Sequence, residues 1–190
     1  NMIDKVDTII IGGGMAHTFD AAKGLPIGKS LCEKDKFEEA LAQLDKAKKR
    51  GVKVVLPVDL RVADKFAPDA NVQIVDVDKV PEDWEALDSG PKTSELYTEA
   101  LKGAKTVIWN GPMGVFEFDA FANGTLAVAK AVAEATKNGA ISIVGGGDSI
   151  AALKKTGLSD QISHISTGGG ATLEFLEGKV LPGIAAIADK

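Results

Sequence analysis

Cysteine, aromatic residues and excess positive charge are all scarce in this chain of 190 residues. Cys32 is the single cysteine, which rules out an intrachain disulfide or a cysteine-rich zinc site and indicates a reducing compartment. The formal net charge of −5 argues against general nucleic-acid binding, which depends on lysine and arginine. No apolar run reaches the length of about eighteen residues that a membrane span needs, and no leader segment is recognisable. These absences predict a soluble, cytoplasmic protein without a nucleic-acid or membrane partner.

Several familiar nucleotide-binding signatures are also missing. The Walker pattern G-x-x-x-x-G-K-[ST] does not occur, and the chain has neither the H-R-D nor the D-F-G sequence of protein kinases. The dinucleotide pattern G-x-G-x-x-G fails at its last position, which is His17, Ile150 or Leu173 in the three places where it begins. A P-loop enzyme, a protein kinase and a standard dinucleotide-binding protein are therefore disfavoured.

Glycine, in contrast, is abundant and clustered. Of the 21 glycines, nine form three triplets at 12–14, 145–147 and 168–170, and each triplet follows an apolar, strand-like run. Because glycine has no Cβ, a ligand can lie directly against such a backbone, and each triplet precedes a segment able to start a helix with free N–H groups. A tight turn between strand and helix would explain any one triplet. Three similar triplets favour phosphate binding.

The apolar runs and helix-period segments alternate along the chain. Strands are predicted at 6–11, 52–58, 72–77, 106–109, 140–144 and 162–165, and helices at 15–23, 34–50, 93–101, 120–137 and 148–155. Residues 79–92 are predicted to form an irregular connection. This order predicts an α/β fold: a doubly wound, Rossmann-like three-layer sandwich with a six-stranded parallel sheet, in one domain over 1–190. The glycine triplets then lie at the carboxyl ends of the strands, where ligands of such sheets bind.

Asp148 directly follows the second triplet. Its carboxylate has two interpretations, an acid in the first turn of a helix or a ligand for Mg²⁺ bound to phosphates. A carboxylate beside phosphates would repel them unless a cation lay between. The amides of Gly146, Gly147 and Ser149 would hold phosphate oxygens while Asp148 held the metal.

Long blocks of this sequence resemble the carboxyl-terminal, nucleotide-binding half of phosphoglycerate kinase. The blocks are Gly-Gly-Gly-Met-Ala at 12–16, Leu-Pro-Val-Asp at 56–59, Trp-Asn-Gly-Pro-Met-Gly-Val-Phe-Glu at 109–117, Gly-Gly-Gly-Asp-Ser at 145–149, Ser-Thr-Gly-Gly-Gly-Ala at 166–171 and Glu-Gly-Lys-Val-Leu-Pro-Gly at 177–183. The resemblance covers essentially the whole chain. It implies reversible transfer of the acyl phosphate of 1,3-bisphosphoglycerate to MgADP, giving 3-phosphoglycerate and MgATP, by a monomer.

The resemblance also implies a role for each site residue. The adenine slot would be formed by Gly12, Gly13, Leu56, Leu87, Pro112 and Val115. Glu117 would accept hydrogen bonds from the ribose hydroxyls, and Asn110 would position the phosphate chain. Asp148 would carry Mg²⁺, with Gly146, Gly147 and Ser149 around the phosphates. Catalytic stabilisation of the transferring group would come from the backbone of Gly147, Gly168, Gly169 and Gly170.

Phosphoryl transfer also needs lysine or arginine near the transferring group, and the glycine triplets carry none. Lys154 and Lys155 follow Asp148 by about two helical turns, which places them far from the phosphates. The resemblance places the missing charges, and most contacts to phosphoglycerate, in residues outside this chain. We therefore expect a fragment that binds nucleotide weakly and has no turnover alone. A non-catalytic nucleotide-binding module, and an oxidoreductase with an atypical dinucleotide loop, are the alternatives.

Overall fold

The computed structural model describes residues 2–168 and 170–187, so the predicted site residue Gly169 lies outside the described residues. Within these ranges strands and helices alternate along most of the chain. The strands are β1 (Thr8–Ile10), β2 (Lys53–Val55), β3 (Asp59–Ala63), β4 (Val72–Asp76), β5 (Glu85–Ser89), β6 (Thr106–Asn110), β7 (Ile141–Gly145) and β8 (His164–Ser166). The helices are α1 (Gly13–Ala22), α2 (Phe37–Arg50), α3 (Pro91–Leu101), α4 (Asn123–Lys137), α5 (Gly147–Thr156), α6 (Gly170–Leu176) and α7 (Pro182–Ala185).

The predicted α/β class with parallel strands is confirmed. Strand β1 pairs in parallel with β2, and β7 lies between β6 and β8 in a second parallel sheet. Five of the six predicted strands contribute to these two sheets, and all five predicted helices are present within a few residues of their expected bounds.

The prediction of a single six-stranded parallel sheet is wrong. The described residues form three separate sheets. Two are the parallel sheets described above, with two and three strands. The remaining sheet has three antiparallel strands in the order β4-β3-β5. The apolar run at 72–77 does become a strand, β4, but it pairs antiparallel with β3. Strand β5 lies inside the segment that was expected to be irregular, and β3 was not predicted at all.

Strands β3 and β5 escaped prediction because their sequences carry charges where a buried strand usually has apolar residues. Asp59 and Asp88 are nevertheless buried, with exposed fractions of 1% and 3%. Backbone amides elsewhere in the chain donate to these carboxylates, from Lys92 and Thr93 to Asp59 and from Gly124 to Asp88. A buried polar group is tolerated when it is hydrogen-bonded, and the partners here are tens of residues away in sequence.

The main core lies between the parallel strands and helices α3, α4 and α5. Its largest fully buried side chains include Tyr97, Val132, Val144 and Leu153. The hydroxyl of Tyr97 donates to the carbonyl oxygen of Ile11 at 2.8 Å, which fixes α3 against the chain that leaves β1. This contact positions the first glycine triplet over the core. Among the described residues, no helix is long and apolar enough to cross a membrane.

Candidate functional site

A cavity of about 780 Å³ opens between the turn after β1, strand β5 and the turn after β6. Six of the predicted site residues line it: Gly12, Gly13, Leu87, Asn110, Pro112 and Val115. Much of the remaining wall is aliphatic, and no lysine or arginine of the described chain contributes to it. The fold therefore brings together five of the six residues of the expected adenine slot, all but Leu56, in a pocket large enough for a small ligand.

The first glycine triplet closes against the turn after β6. A Cβ on Gly12 would collide with the sulfur of Met113, and Gly13 has a φ of +60°. A Cβ on Gly13 would also lie 2.8 Å from the carbonyl oxygen of Pro112. Packing alone therefore requires glycine at these two positions, which also line the cavity.

The parallel strands β6, β7 and β8 end side by side. Asn110 is in register with Gly145, and Gly145 with Ser166, so the turns that follow these strands share one edge of the sheet. Two hydrogen bonds fix the turn at Gly111: its N–H donates to Ser149 Oγ at 2.5 Å, and Trp109 Nε1 donates to its carbonyl oxygen at 2.7 Å. Trp109 therefore anchors a loop.

The second triplet combines one closed position with one open position. Gly146 has a φ of +90°, and its missing Cβ leaves room for Asn110 Oδ1. A Cβ on Gly147 would meet nothing within 4 Å. The carboxylate of Asp148 is exposed and makes no hydrogen bond or ion pair with the described part of the chain, whereas Ser149 is buried. The helix α5 thus begins at a space that the described residues leave free.

The third triplet is only partly described. The hydroxyls of Ser166 and Thr172 are hydrogen-bonded at 2.5 Å, and the N–H of Gly168 donates to Ser166 Oγ at 3.3 Å. A Cβ on Gly170 would meet no atom within 4 Å. Gly168 and Gly170 therefore border the same edge as the second triplet, next to β8.

Two residues of the predicted adenine and ribose sites, Leu56 and Glu117, lie outside the cavity wall, as do the described residues of the predicted phosphate site at 146–149, 168 and 170. Leu56 is half-buried just after β2, and Glu117 is exposed. The carboxylate of Glu117 has no partner among the described residues, although its backbone carbonyl accepts a hydrogen bond from Lys155 at 3.3 Å. Sequence reasoning missed Met15 and Leu31, which line the cavity although they are 67% and 79% exposed. Their positions depend on how the loops fold over the cavity, and no local motif marks them.

Asp88 also lines the cavity and was not predicted as a site residue. Burial raises its pKa to about 7, although the N–H groups of Gly124 and Ser89 and the charge of Arg61 oppose that shift. Burial likewise raises the pKa of Asp20 to about 6. Near neutral pH, Asp88 is therefore divided between its acid and carboxylate forms.

The chemistry of the open edge fits a magnesium ion bound mainly by a ligand. Among the described residues, no group of three or more histidine, cysteine, aspartate or glutamate side chains is placed to hold a metal. Magnesium needs no such cage, because it retains waters and binds one or two carboxylates together with phosphate oxygens. The unpaired carboxylate of Asp148, beside the open backbone of Gly147, meets that requirement.

Glycine turns at the carboxyl ends of parallel strands, next to an apolar cavity, define an α/β protein of the class that binds ligands at this edge of the sheet. The sequence profile of the phosphoglycerate kinase family matches residues 1–179, and the chain belongs to that family.

Individual relatives agree with the family match. The chain is 57% identical over 188 residues to a phosphoglycerate kinase of Synechococcus sp. (strain JA-3-3Ab), covering 99% of this chain and 46% of the relative. It is 59% identical over 188 residues to that of Nostoc punctiforme, covering 99% of this chain and 47% of the relative. The chain therefore spans about half the length of the curated relatives it matches.

Solved structures agree as well. The phosphoglycerate kinase of Coxiella burnetii superposes with a TM-score of 0.92 at 50% identity, over 97% of this chain and 47% of that structure. The enzyme from Pyrococcus horikoshii gives a TM-score of 0.74 at 35% identity, over 96% of this chain and 45% of that structure. The fold of this chain is thus that of about half of a phosphoglycerate kinase.

Proposed function

We propose that this chain is the carboxyl-terminal, nucleotide-binding half of a phosphoglycerate kinase. In the whole enzyme it would take part in the reversible transfer of the acyl phosphate of 1,3-bisphosphoglycerate to MgADP, giving 3-phosphoglycerate and MgATP. The proposal rests on one observation. An apolar cavity and the open glycine turn at the start of α5 lie next to each other at the carboxyl ends of β6 and β7. An adenine base and a phosphate chain need these two environments side by side.

The base would lie in the cavity between the first triplet and the turn after β6. Gly12, Gly13 and Pro112 present flat backbone there, and Leu87 and Val115 add apolar contact. The hydrogen bond from the N–H of Val115 to the carbonyl oxygen of Leu87, at 2.8 Å, keeps these last two walls together. Leu56 would border the slot from the end of β2.

The ribose and phosphates would extend from this cavity toward α5. Glu117 would accept hydrogen bonds from the ribose hydroxyls, since its carboxylate has no other partner in the described chain. Asn110, which lines the cavity and also reaches Gly146, would orient the phosphate chain between the two sites. The N–H groups at the start of α5, from Gly146 to Ser149, point toward an anion placed there.

Asp148 would hold Mg²⁺, which would supply positive charge to the phosphate oxygens when bound. Backbone N–H groups of Gly147, Gly168, Gly169 and Gly170 would stabilise the equatorial oxygens of the transferring group. Phosphoryl transfer also needs lysine or arginine side chains, and the described wall of the cavity supplies none. Residues outside this chain would supply these charges and most contacts to phosphoglycerate, and the enzyme would act as a cytoplasmic monomer.

Calorimetric titration of the chain with ADP tests the nucleotide site. We expect weak binding that requires magnesium and falls at least about tenfold in Asp148→Ala, because the metal loses the carboxylate proposed to hold it. Asp160→Ala, which removes another exposed acid outside the site, is the matched control and should bind as the parent does. Magnesium-independent binding of NAD in place of ADP would favour the oxidoreductase alternative and contradict the proposal.

A coupled kinase assay tests whether the chain alone catalyses phosphoryl transfer. With 3-phosphoglycerate and MgATP, we expect the chain alone to give no turnover above background, because the cationic groups for transfer are missing from its site. Clear turnover by the chain alone would refute this part of the proposal. Turnover that appears only when the remaining half of the enzyme is added would distinguish a kinase half from a non-catalytic nucleotide-binding module.

A further inference from the structure

The ammonium group of Lys155, near the end of α5, contacts the loop that follows Val115. Nζ donates to the carbonyl oxygen of Phe116 at 2.7 Å and to that of Glu117 at 3.3 Å. It also forms an ion pair with Asp119 at 2.7 Å. An ammonium group has three N–H donors, so these three acceptors satisfy it completely.

This lysine shares its helix with the open glycine turn. Asp148 and Lys155 are seven residues apart in α5, which is close to two turns. They therefore lie on the same face of the helix, separated by about 10 Å along its axis. One end of this face borders the proposed phosphate and metal site, and the other end holds the loop that carries Val115 and Glu117.

We propose that Lys155 is a positioning residue that fixes the ribose-binding carboxylate of Glu117 relative to the phosphate site at the start of α5. The inference rests on the proposed function, because it assigns Glu117 to the ribose. Lys155 would not touch the nucleotide: it is absent from the wall of the large cavity, and its donors are already used. It lies instead beside a smaller cavity of about 230 Å³ between the loop, α4 and α5.

The two carbonyl contacts carry the effect, and the ion pair adds little. Asp119 is 94% exposed, and surface ion pairs contribute little to stability because water and salt screen them. The carbonyl groups, in contrast, belong to the backbone of the residues that are to be positioned. Without Lys155 this loop would lose these side-chain hydrogen bonds to α5, and Glu117 would sample more positions.

The test compares ADP with 2′-deoxy-ADP, each titrated with magnesium into the parent chain and into Lys155→Met. Glu117 distinguishes the two ligands only if its carboxylate is held at the ribose, so the ratio of the two affinities reports positioning. A ratio measured within one variant is insensitive to the fraction of folded protein. We expect MgADP to bind about fivefold more weakly to Lys155→Met and the ratio to fall toward one.

Lys154→Met is the matched control, because Lys154 is adjacent and exposed and makes no side-chain hydrogen bond or ion pair with the described residues. Its affinities and their ratio should equal those of the parent. Lys155→Arg, which keeps the charge and several N–H donors, should restore most of the ratio. If Lys155→Met does not fold, Lys155→Gln, which keeps a shorter stem and two donors, should show an intermediate ratio.

Two failures can be told apart. If the parent chain binds no MgADP, the proposed function is wrong and this inference falls with it. If the parent binds MgADP and prefers it to the 2′-deoxy ligand, but folded Lys155→Met or Lys155→Gln keeps the same preference, only the positioning role of Lys155 is wrong.

Discussion

Helices α3, α4 and α5 each begin beside a carboxylate, and in the described part of the chain the starts of α3 and α4 are closed by the protein itself whereas the start of α5 is not. At α3, the N–H groups of Lys92 and Thr93 donate to Asp59 at 3.1 and 2.8 Å. At α4, the N–H of Gly124 donates to Asp88 at 3.0 Å. At α5, no side chain of the described residues accepts from the first amides, and Asp148 itself is exposed and unpaired.

The glycines at the starts of α3 and α4 have different surroundings from the glycine at the start of α5. A Cβ on Gly90 would collide with the carboxylate of Asp59, and a Cβ on Gly124 would collide with Asp88. These glycines make room for an acid of the same chain. A Cβ on Gly147 would meet no atom within 4 Å, so this glycine borders open space rather than a carboxylate of the described chain. The N–H groups at a helix start attract a carboxylate, and in α3 and α4 an acid of the same chain occupies that position, whereas at α5 no side chain of the described residues does.

The largest expected effect is the difference in stability loss between Asp59→Ala and Asp148→Ala. Asp59→Ala would leave two amides at the start of α3 without their acceptor in the interior, and we expect the free energy of unfolding to fall by about 3 kcal/mol. Asp148→Ala should change it by less than about 0.5 kcal/mol, because nothing in the described chain depends on that carboxylate. Urea denaturation of both variants measures this. Equal losses of stability would contradict the distinction between filled and open helix starts.

A smaller, opposed pair of effects is expected from two neighbouring glycines. Gly146→Ala should destabilise the chain by about 1–3 kcal/mol, because alanine is strained at a φ of +90° and its methyl group would meet Asn110. Gly147→Ala should leave stability unchanged or raise it by up to about 1 kcal/mol, since alanine favours the helix. Its affinity for MgADP should nevertheless fall, because the methyl group occupies the open site. Thermal denaturation and calorimetry together measure both quantities. Unchanged MgADP affinity in Gly147→Ala would show that the open space is not where the ligand binds.

A further effect is a pH dependence of stability at the filled start of α4. Burial raises the pKa of Asp88 from 3.8 to about 7. At pH values between these two, the carboxyl group of Asp88 holds a proton in the folded state that it has lost in the unfolded state. The stability that this proton contributes is complete below about pH 4 and is lost as the pH rises through about 7. Asp88→Asn cannot titrate, so its deficit in unfolding free energy relative to the parent should shrink between about pH 4.5 and 7.5. Urea denaturation at several pH values checks this. A deficit that stays constant or grows with pH would mean that the carboxylate is charged throughout.

Local pattern was enough to predict most helices and the parallel strands. Continuous apolar runs before glycine identify β1, β6 and β7, because a strand that is covered on both faces carries few polar residues. The same rule failed for β3 and β5, whose acids are solvated by amides of distant segments. The six-stranded sheet was wrong for this reason, since β4 pairs with a strand that the sequence pattern did not reveal.

The candidate site divides in the same way. Glycine triplets and the acid at 148 can be recognised from residue type and spacing alone, because a missing Cβ and a following helix are local properties. Whether a triplet is packed shut or left open depends on its neighbours: Met113 and Pro112 close on Gly12 and Gly13, while Gly147 meets nothing. The contacts of Lys155 with a loop 38 and 39 residues earlier are equally invisible in the sequence.

The sequence by itself determined the α/β class, the positions of the glycine turns and the membership of a family whose motifs are long and ordered. Those properties follow from backbone conformation and from residues that are neighbours along the chain. The tertiary structure decided the division into three sheets, the burial of Asp59 and Asp88, and which helix start was left open. These depend on which amide, carboxylate or methyl group comes from elsewhere to fill a given space, and only the folded chain brings those groups together.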